Sequence, residues 1–291
     1  MTLFPPDGSR DRRIEDPTNL WIIHPLGRRL LPWFVARSIS ANAVSVGGLV
    51  LGIVAAAAYA NWRVWPFAFF GLLLSICWLV ADGLDGMVAR ATNTASPLGR
   101  FLDGLCDHGV FILIYVAMAI SIGSREGWAW AVSAGVMHAL QSNLFESERA
   151  RFHRRCKGIA ATAQAPNGNP LVRYYDRLSG VVDRFAQPFD DTLRRQSDSR
   201  PLAEAYGVQA ARPMLLMSLL SANVRVYAIF IACVAGNPRF FWWFELGPMT
   251  AILIIGLAWH RLVERRLIRR FDQRADRIRP LFHPPIGNDI Q

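Results

Sequence analysis

Four carboxylates stand close together in a short segment of an otherwise apolar region. They occur in the sequence DGLDGMVARATNTASPLGRFLDGLCD and are Asp82, Asp85, Asp103 and Asp107. Burying one charge near a bilayer is costly, and four carboxylates cost more unless something compensates them. In this segment the basic residues are Arg90 and Arg100 alone. A bound divalent cation is therefore the expected partner of the carboxylates.

Helical geometry predicts that these carboxylates converge. At about 100° per residue, one helix carries an arc of about 140° made of Asp82, Asp85, Gly86, Ala89 and Arg90. The next helix carries Gly99, Asp103 and Asp107 within about 80°. The link at 91–98 is short, which makes the two helices antiparallel neighbours. Carboxylate oxygens without His or Cys on these arcs favour a hard ion, Mg²⁺ or Mn²⁺.

Small residues share the predicted cleft with the carboxylates. Gly86, Ala89 and Gly99 would let a planar ligand or another backbone approach closely. Ordinary close packing between membrane helices explains the same residues equally well. Both interpretations remain open at this point.

The elements that position these residues are predicted to be membrane-spanning helices. Of the 291 residues, 52% are hydrophobic, and a helix of about 20 apolar residues crosses the hydrocarbon core. Six stretches approach that length: 42–61, 66–91, 99–122, 127–146, 213–236 and 240–260. The sequence therefore predicts an all-α membrane protein with six transmembrane helices.

The segments outside the spans define the predicted domain organisation. Residues 1–41 form a cytoplasmic tail that contains Asn19–Ser38, a mixture of Trp, Leu and Arg typical of an interfacial amphipathic helix. A simple linker is the alternative for that stretch. Residues 42–260 form the catalytic domain, with a polar cytoplasmic insertion at 147–211. Residues 261–291 form a basic cytoplasmic tail.

The distribution of Arg predicts the topology. Six Arg precede the first span, eleven Arg and Lys157 lie between spans four and five, and eight Arg follow the last span. The opposite side carries only Arg63, Arg125 and Arg239. Positive residues stay on the cytoplasmic side, so both termini are expected there. Because the net charge of +10 flanks spans rather than forming a soluble basic face, a nucleic-acid partner is not expected.

The acidic segment resembles the signature of the CDP-alcohol phosphotransferase family. That signature reads D-x2-D-G-x2-A-R-x8-G-x3-D-x3-D. All eight of its fixed positions match, as Asp82, Asp85, Gly86, Ala89, Arg90, Gly99, Asp103 and Asp107. The signature covers under a tenth of the chain. Six spans and an interfacial N-terminal helix are also similar to the family's architecture.

The resemblance implies roles for individual residues. Asp82, Asp85 and Asp103 would bind a pair of divalent cations, and Asp107 would be a further ligand or the general base. The cytidine pocket would be lined by Gly86, Ala89 and Gly99, with Arg90 orienting the nucleotide. Asn42, with Ser45 one turn later, resembles the Asn of a looser family pattern, which would add both residues to the nucleotide site. A polar helix start is the alternative for Asn42.

Polar residues in later spans are candidates for an acceptor site. Arg225 lies within span five, where an Arg usually pairs with something. It could contact a substrate phosphate, form a salt bridge with a helix carboxylate, or extend to the membrane surface. His138 and Gln141 lie in span four, where they could form an acceptor pocket or a hydrogen-bonded seam between helices.

The expected function is metal-dependent transfer of a substituted phosphate from a CDP-alcohol to an acceptor hydroxyl, with release of CMP. A CDP-diacylglycerol donor is favoured, and a CDP-linked polar alcohol with a lipid acceptor is the alternative. A divalent-cation transporter and an inactive scaffold of the same fold are further alternatives. The expected location is the bacterial inner membrane, with the site near the cytoplasmic face. Members of the family are often homodimers, so a second copy is a candidate partner.

Overall fold

Every regular element that the structure describes is a helix, which confirms the predicted all-α class. The computed structural model describes residues 11–160, 186–196 and 198–282, without the side chains of 97, 98, 100–103 and 274–282. A π-helical turn at Asn19–Ile23 leads into the first helix. The α-helices are α1 His24–Ala36, α2 Ala41–Ala60, α3 Trp65–Ala91, α4 Pro97–Ile122, α5 Arg125–Cys156, α6 Arg200–Gln209, α7 Ala211–Met217, α8 Ala222–Val234, α9 Arg239–Phe244 and α10 Thr250–Phe282.

The chain divides into two compact units. The first unit comprises Met1–Arg13, Glu146–Leu216 and Ile254–Gln291, and the second unit comprises Ile14–Phe145 and Met217–Leu253. Three of the boundaries between the units fall within helices, in α5, α7 and α10, and the fourth lies between Arg13 and Ile14. The predicted division into 1–41, 42–260 and 261–291 follows membrane topology, which is a different criterion, and it stays a prediction.

Four helical stretches in the described residues are long and apolar enough to cross a membrane. They are Ala41–Ala60, Trp65–Ala91, Gly104–Ile122 and Arg239–Gln273. A fifth candidate is the pair Ala211–Leu220 and Ala222–Val234, which is bent by 43°. These helices indicate an integral membrane protein.

The predicted span at 127–146 coincides with a helix of mixed character. It forms most of α5, but this helix is not among the spans that length and composition identify in the described residues. His138, Gln141 and Asn143 lower its hydropathy. The count of six spans therefore stays a prediction.

Local capping determines where the site-bearing helices begin. The Ser40 hydroxyl accepts from the Ala43 N–H at 3.2 Å at the start of α2. The Ser96 hydroxyl accepts from the Gly99 N–H at 3.0 Å at the start of α4. Such caps satisfy the free amides at a helix N-terminus. Asn93, with a φ of 54°, lies in the link between α3 and α4. Asn tolerates this left-handed conformation better than most residues.

The core of the second unit holds α2, α3 and α4 together. Helix α2 packs against both α3 and α4. Trp78 of α3 meets Phe111 of α4 edge to face, with ring centroids 5.3 Å apart. Aromatic pairs of this geometry add to the stability that burial supplies. The contact lies one helical turn from Asp82 on α3 and from Asp107 on α4, so it brings the acidic ends of the two helices together.

We expect Gly52→Ala to destabilise the second unit, because α2 lies very close to α4 at this residue. A Cβ added at Gly52 would lie 2.2 Å from Cγ2 of Val110, and relieving such an overlap typically costs about 1–3 kcal/mol. Gly47→Ala on the same helix is the matched control, since a Cβ there meets nothing within 4 Å. Thermal unfolding in detergent should show a lower midpoint for Gly52→Ala alone. Equal midpoints for the two variants would contradict the close approach.

The predicted insertion at 147–211 belongs to the first unit. Its described part contains the end of α5, a helical stretch at residues 186–195, and α6. Phe152, Phe189 and Tyr206 are fully buried and pack together, with the rings of Phe189 and Tyr206 4.8 Å apart. The insertion therefore contributes side chains to a hydrophobic core. Residues 161–185 of the insertion lie outside the described residues.

Candidate functional site

A small cavity in the second unit brings together three of the four predicted metal ligands. Asp82 and Asp85 reach it from α3, and Asp107 reaches it from α4. The fourth predicted ligand, Asp103, lies on α4 one turn before Asp107, and its side chain is outside the described part of the structure. The site thus joins carboxylates of α3 to a carboxylate of α4 that lies at least 22 positions away along the chain.

Helix α2 contributes a hydroxyl group to this cavity. The Ser45 Oγ donates to Oδ2 of Asp85 at 2.5 Å, and it also lies 3.2 Å from the Ala41 carbonyl oxygen. Asp85 is only 5% exposed. A buried carboxylate needs partners of this kind. Ser45, predicted only through a loose pattern, therefore orients one of the acidic side chains.

Two of the predicted nucleotide-site residues come close together across helices. A Cβ built on Gly99 of α4 would lie 3.5 Å from Oδ1 of Asn42 on α2. On α3, a Cβ built on Gly86 would lie 3.3 Å from Nη1 of Arg90, so the guanidinium group lies over the glycine. Ala89 is half-buried on the same helix. Their roles in binding a nucleotide stay predictions.

The cavity is also lined by three residues that the sequence did not single out, which are Gly48, Trp78 and Cys106. Helical spacing could have identified all three. Gly48 follows Ser45 by three residues and Trp78 precedes Asp82 by four, and both spacings place residues on one helix face. Cys106 follows Asp103 by three residues, so the same spacing could have identified it.

The predicted acceptor residues form a buried polar cluster with partners from the protein itself. Arg225 donates through Nε to Oε1 of Glu245 at 3.0 Å and through Nη2 to Oε1 of Gln141 at 2.8 Å. His138 Nδ1 lies 3.2 Å from the Tyr115 hydroxyl. The salt-bridge alternative for Arg225 is therefore present in the structure. The acceptor role of Arg225, His138 and Gln141 stays a prediction.

The first unit contains an acidic cluster that could be mistaken for a metal site. Glu148, His260 and Glu264 are buried, and their candidate ligand atoms lie within 4.8 Å of one another. This is the single group of that kind among the described residues. Sequence reasoning did not select it, although the spacing of His260 and Glu264 places both on one face of a helix.

Arginine side chains already neutralise this cluster. Glu148 bonds to Arg151 and Arg261, and Glu264 bonds to Arg155 and Arg261. Arg155 also bonds to Oδ2 of Asp190 at 2.8 Å. Three carboxylates thus face three guanidinium groups, and a divalent cation would add positive charge beside them. We interpret the cluster as an ion-pair network that holds α5, α10 and the 186–195 stretch of the first unit together.

The network also determines the protonation state of Glu148. Burial alone would raise the pKa of this carboxyl group, but the hydrogen bond from His260 and the charges of Arg261 and Arg151 outweigh burial. The pKa of Glu148 is therefore held well below its usual range. Glu148 remains ionised at neutral pH, as an ion-pair role requires.

Comparison with known proteins adds an independent line of evidence. Residues 38–165 match the family model described as CDP-alcohol phosphatidyltransferase. Cholinephosphotransferase 1 of Gallus gallus is 31% identical over 118 residues, which are 37% of this chain and 32% of the chicken protein. Cholinephosphotransferase 1 of Rattus norvegicus is 39% identical over 54 residues, which are 18% of this chain and 14% of the rat protein.

These similarities concern the part of the chain that carries the acidic cavity. Each match spans about a third or less of the curated relative's own length. The matched residues 38–165 include α2, α3 and α4 and hence all four predicted metal ligands. Over residues 38–165 the chain is therefore similar to the CDP-alcohol phosphatidyltransferase family.

Proposed function

We propose that this chain transfers a substituted phosphate group from a CDP-alcohol to the hydroxyl group of an acceptor and releases CMP. The observation that carries the proposal is the convergence of Asp82, Asp85 and Asp107 on one cavity inside the segment that matches the family. The family match names the donor class. The cavity supplies the carboxylates that such a reaction needs.

The donor set of the cavity fits hard divalent cations. Its lining carries three carboxylates and a hydroxyl group beside the thiol of Cys106, and oxygen ligands are those that Mg²⁺ and Mn²⁺ prefer. Asp82, Asp85, Asp103 and Asp107 would hold the two ions. When bound, the ions neutralise the diphosphate and stabilise the charge that develops on CMP.

The protein's own residues then direct the reaction. Asp107 accepts the proton of the acceptor hydroxyl as general base. The acceptor oxygen forms a bond to the phosphorus that carries the donor alcohol, and the bond from that phosphorus to the CMP oxygen breaks. The products are a phosphodiester and CMP. Gly86, Ala89, Gly99 and Asn42 line the cytidine pocket, and Arg90 orients the nucleotide.

Two substrate pairings are consistent with this reaction. The first is CDP-diacylglycerol with a polar acceptor. The second is a CDP-linked polar alcohol with a lipid acceptor, and the name cholinephosphotransferase of the relatives favours a donor of this kind. In both pairings one substrate is a lipid and the other is polar.

The proposed setting is a six-span membrane protein with the site near the cytoplasmic face of a bacterial inner membrane. The segregation of Arg on three predicted cytoplasmic segments supports this orientation. Helix α1 would lie in the membrane surface, since Trp21 and Trp33 are 70% and 48% exposed and Arg28 and Arg29 accompany them. The proposal also includes a homodimer, because members of the family that the chain resembles are often homodimers. A cation transporter is less favoured, because its acidic residues would be spread through the bilayer.

The test is CMP release by the purified protein in lipid nanodiscs across a matrix of CDP-linked donors and alcohol acceptors. We expect one pairing to release CMP and EDTA to abolish the release. Added Mg²⁺ or Mn²⁺ should restore it, because the clustered carboxylates repel the diphosphate without cations. If no pairing releases CMP and the protein instead conducts divalent ions in liposomes, the transporter alternative replaces the transferase.

Ser45→Ala should weaken metal binding rather than catalysis itself. The variant loses the hydroxyl that donates to Asp85, and losing a partner of a metal-binding side chain typically costs about 10–100-fold in metal affinity or activity. The measurement is the Mg²⁺ concentration that gives half-maximal CMP release. Ser75→Ala is the matched control, since the Ser75 hydroxyl on α3 donates to the Gly71 carbonyl of its own helix and does not line the acidic cavity. Equal Mg²⁺ requirements in both variants would argue against Asp85 as a ligand.

A further inference from the structure

A second cavity lies between α4 and α5 within the second unit and encloses about 350 Å³. Its walls are almost wholly apolar, with Ile112 and Val116 from α4 and Val132 and Val136 from α5. The volume falls within the range of about 300–1,000 Å³ that is common for ligand pockets. A cavity of this size and lining fits an aliphatic chain.

The groove opens toward the surroundings of the protein. Ile112, Val132 and Val136 are 61%, 60% and 58% exposed, so the apolar walls are accessible from outside the unit. One wall belongs to Gly104–Ile122, which is long and apolar enough to span a membrane. In a bilayer such a surface meets lipid acyl chains rather than water.

One end of the groove adjoins the acidic cavity. His108 lines the groove, while its neighbour Asp107 lines the acidic cavity. Phe111 also lines the groove, and its ring meets that of Trp78, which lines the acidic cavity. The linings of the two cavities are therefore in contact through this ring pair.

The groove offers few polar groups that could form hydrogen bonds with a polar ligand. The Tyr115 hydroxyl and His138 Nδ1 lie 3.2 Å apart and satisfy each other. The Phe111 ring packs on the His138 ring at 4.3 Å. The remaining lining residue with a charged or strongly polar side chain is His108, at the end next to Asp107. A ligand with an apolar body and a head group at that end matches this pattern.

We propose that this groove binds an acyl chain of the lipid substrate, with the reacting head group of the same lipid at the acidic cavity. The inference rests on the proposed function, because both substrate pairings include one lipid. It holds whether the lipid is the donor or the acceptor. The groove then places the lipid hydroxyl or phosphate beside Asp107 while its chain remains in the hydrocarbon layer.

Gly135 provides a direct way to fill the groove. It lines the groove on α5, and a Cβ added there meets nothing within 4 Å. The Cβ of Gly135→Leu therefore meets no protein atom, and the larger side chain narrows the groove that the acyl chain would occupy. Gly47→Leu is the matched control, because a Cβ at Gly47 on α2 also meets nothing within 4 Å and Gly47 does not line the groove.

The kinetic test compares long-chain and short-chain forms of the lipid substrate. We expect Gly135→Leu to raise the KM for the long-chain lipid about tenfold, the scale of a mismatch of one aliphatic group in an apolar pocket. The KM for a short-chain analogue and for the polar substrate should stay unchanged. Gly47→Leu should change none of these values. An unchanged KM for the long-chain lipid in Gly135→Leu would overturn the proposal.

A second readout does not depend on turnover. A lipid substrate with a diazirine at mid-chain, photolysed with wild-type protein in nanodiscs, should label residues 112–136, and Gly135→Leu should lose this label. Labelling confined to other helices would overturn the proposal. A change from dimer to monomer in Gly135→Leu would identify the groove as a contact between copies and would equally overturn it. If the wild type releases no CMP from any pairing, the proposed function fails, whereas the labelling pattern still tests the groove.

Discussion

Asp107→Asn is expected to lower kcat for CMP release by about 10²–10⁴-fold, the usual contribution of a general base. Asparagine preserves the shape of the side chain but cannot accept a proton from the acceptor hydroxyl. Asp107 lines the acidic cavity together with Asp82 and Asp85, so it is well placed for that step. The measurement is the initial rate of CMP release under saturating substrates.

The dependence of the rate on Mg²⁺ separates the two roles that Asp107 could play. A metal ligand and a general base differ in their response to cation concentration, since only loss of a ligand is relieved by excess Mg²⁺. We expect the rate of Asp107→Asn to remain low at high Mg²⁺. Asp191→Asn serves as the control, because Asp191 is an exposed carboxylate that pairs with Arg194. Wild-type rates in Asp107→Asn would exclude it as the base.

Glu245→Leu is expected to destabilise the second unit by about 3–5 kcal/mol, because it leaves the buried charge of Arg225 without its counterion. Arg225 and Glu245 are both fully buried, with Nη2 and Oε1 2.9 Å apart. The remaining partners of the guanidinium group, Gln141 and the Leu220 carbonyl, are neutral. The measurement is equilibrium or thermal unfolding of the purified protein in detergent.

The double variant Arg225→Met with Glu245→Leu should recover most of that loss. Replacing a buried ion pair by apolar residues of similar size is often close to neutral. Glu126→Gln provides the surface control: Glu126 pairs with Arg239 at 3.2 Å, and both side chains are at least a third exposed, so the loss should stay below about 1 kcal/mol. If the single and double variants at 225 and 245 unfold alike, the ion pair does not carry this stability.

Much of the acidic site could be predicted because its information is local. The spacing of Asp82, Asp85 and Asp107 on two helices joined by a short link places these side chains on facing arcs, and the structure brings them to one cavity. The helices themselves follow from apolar composition and from caps at Ser40 and Ser96. These features depend on neighbours a few residues away.

Other contacts could not be predicted because their partners are far apart in the chain. The partners of Arg225 include Gln141, which is 84 residues away, and Ser45 bonds to Asp85 across 40 residues. Helical periodicity assigns each of these side chains to a face, but it does not state which helix that face meets. The alternatives for Arg225 stayed open for this reason, and packing selected the salt bridge.

By itself, the sequence determined the all-helical class, the segment that resembles the family, and the carboxylates that share a helix face, since these follow from composition and from spacings of three or four residues. Only the tertiary structure decided which side chains from separate helices meet. The rotation and approach of packed helices paired Arg225 with Glu245, joined Glu148 and Glu264 to their arginine partners, and opened the groove between α4 and α5. Those quantities depend on the packing of whole helices, so no local spacing contains them.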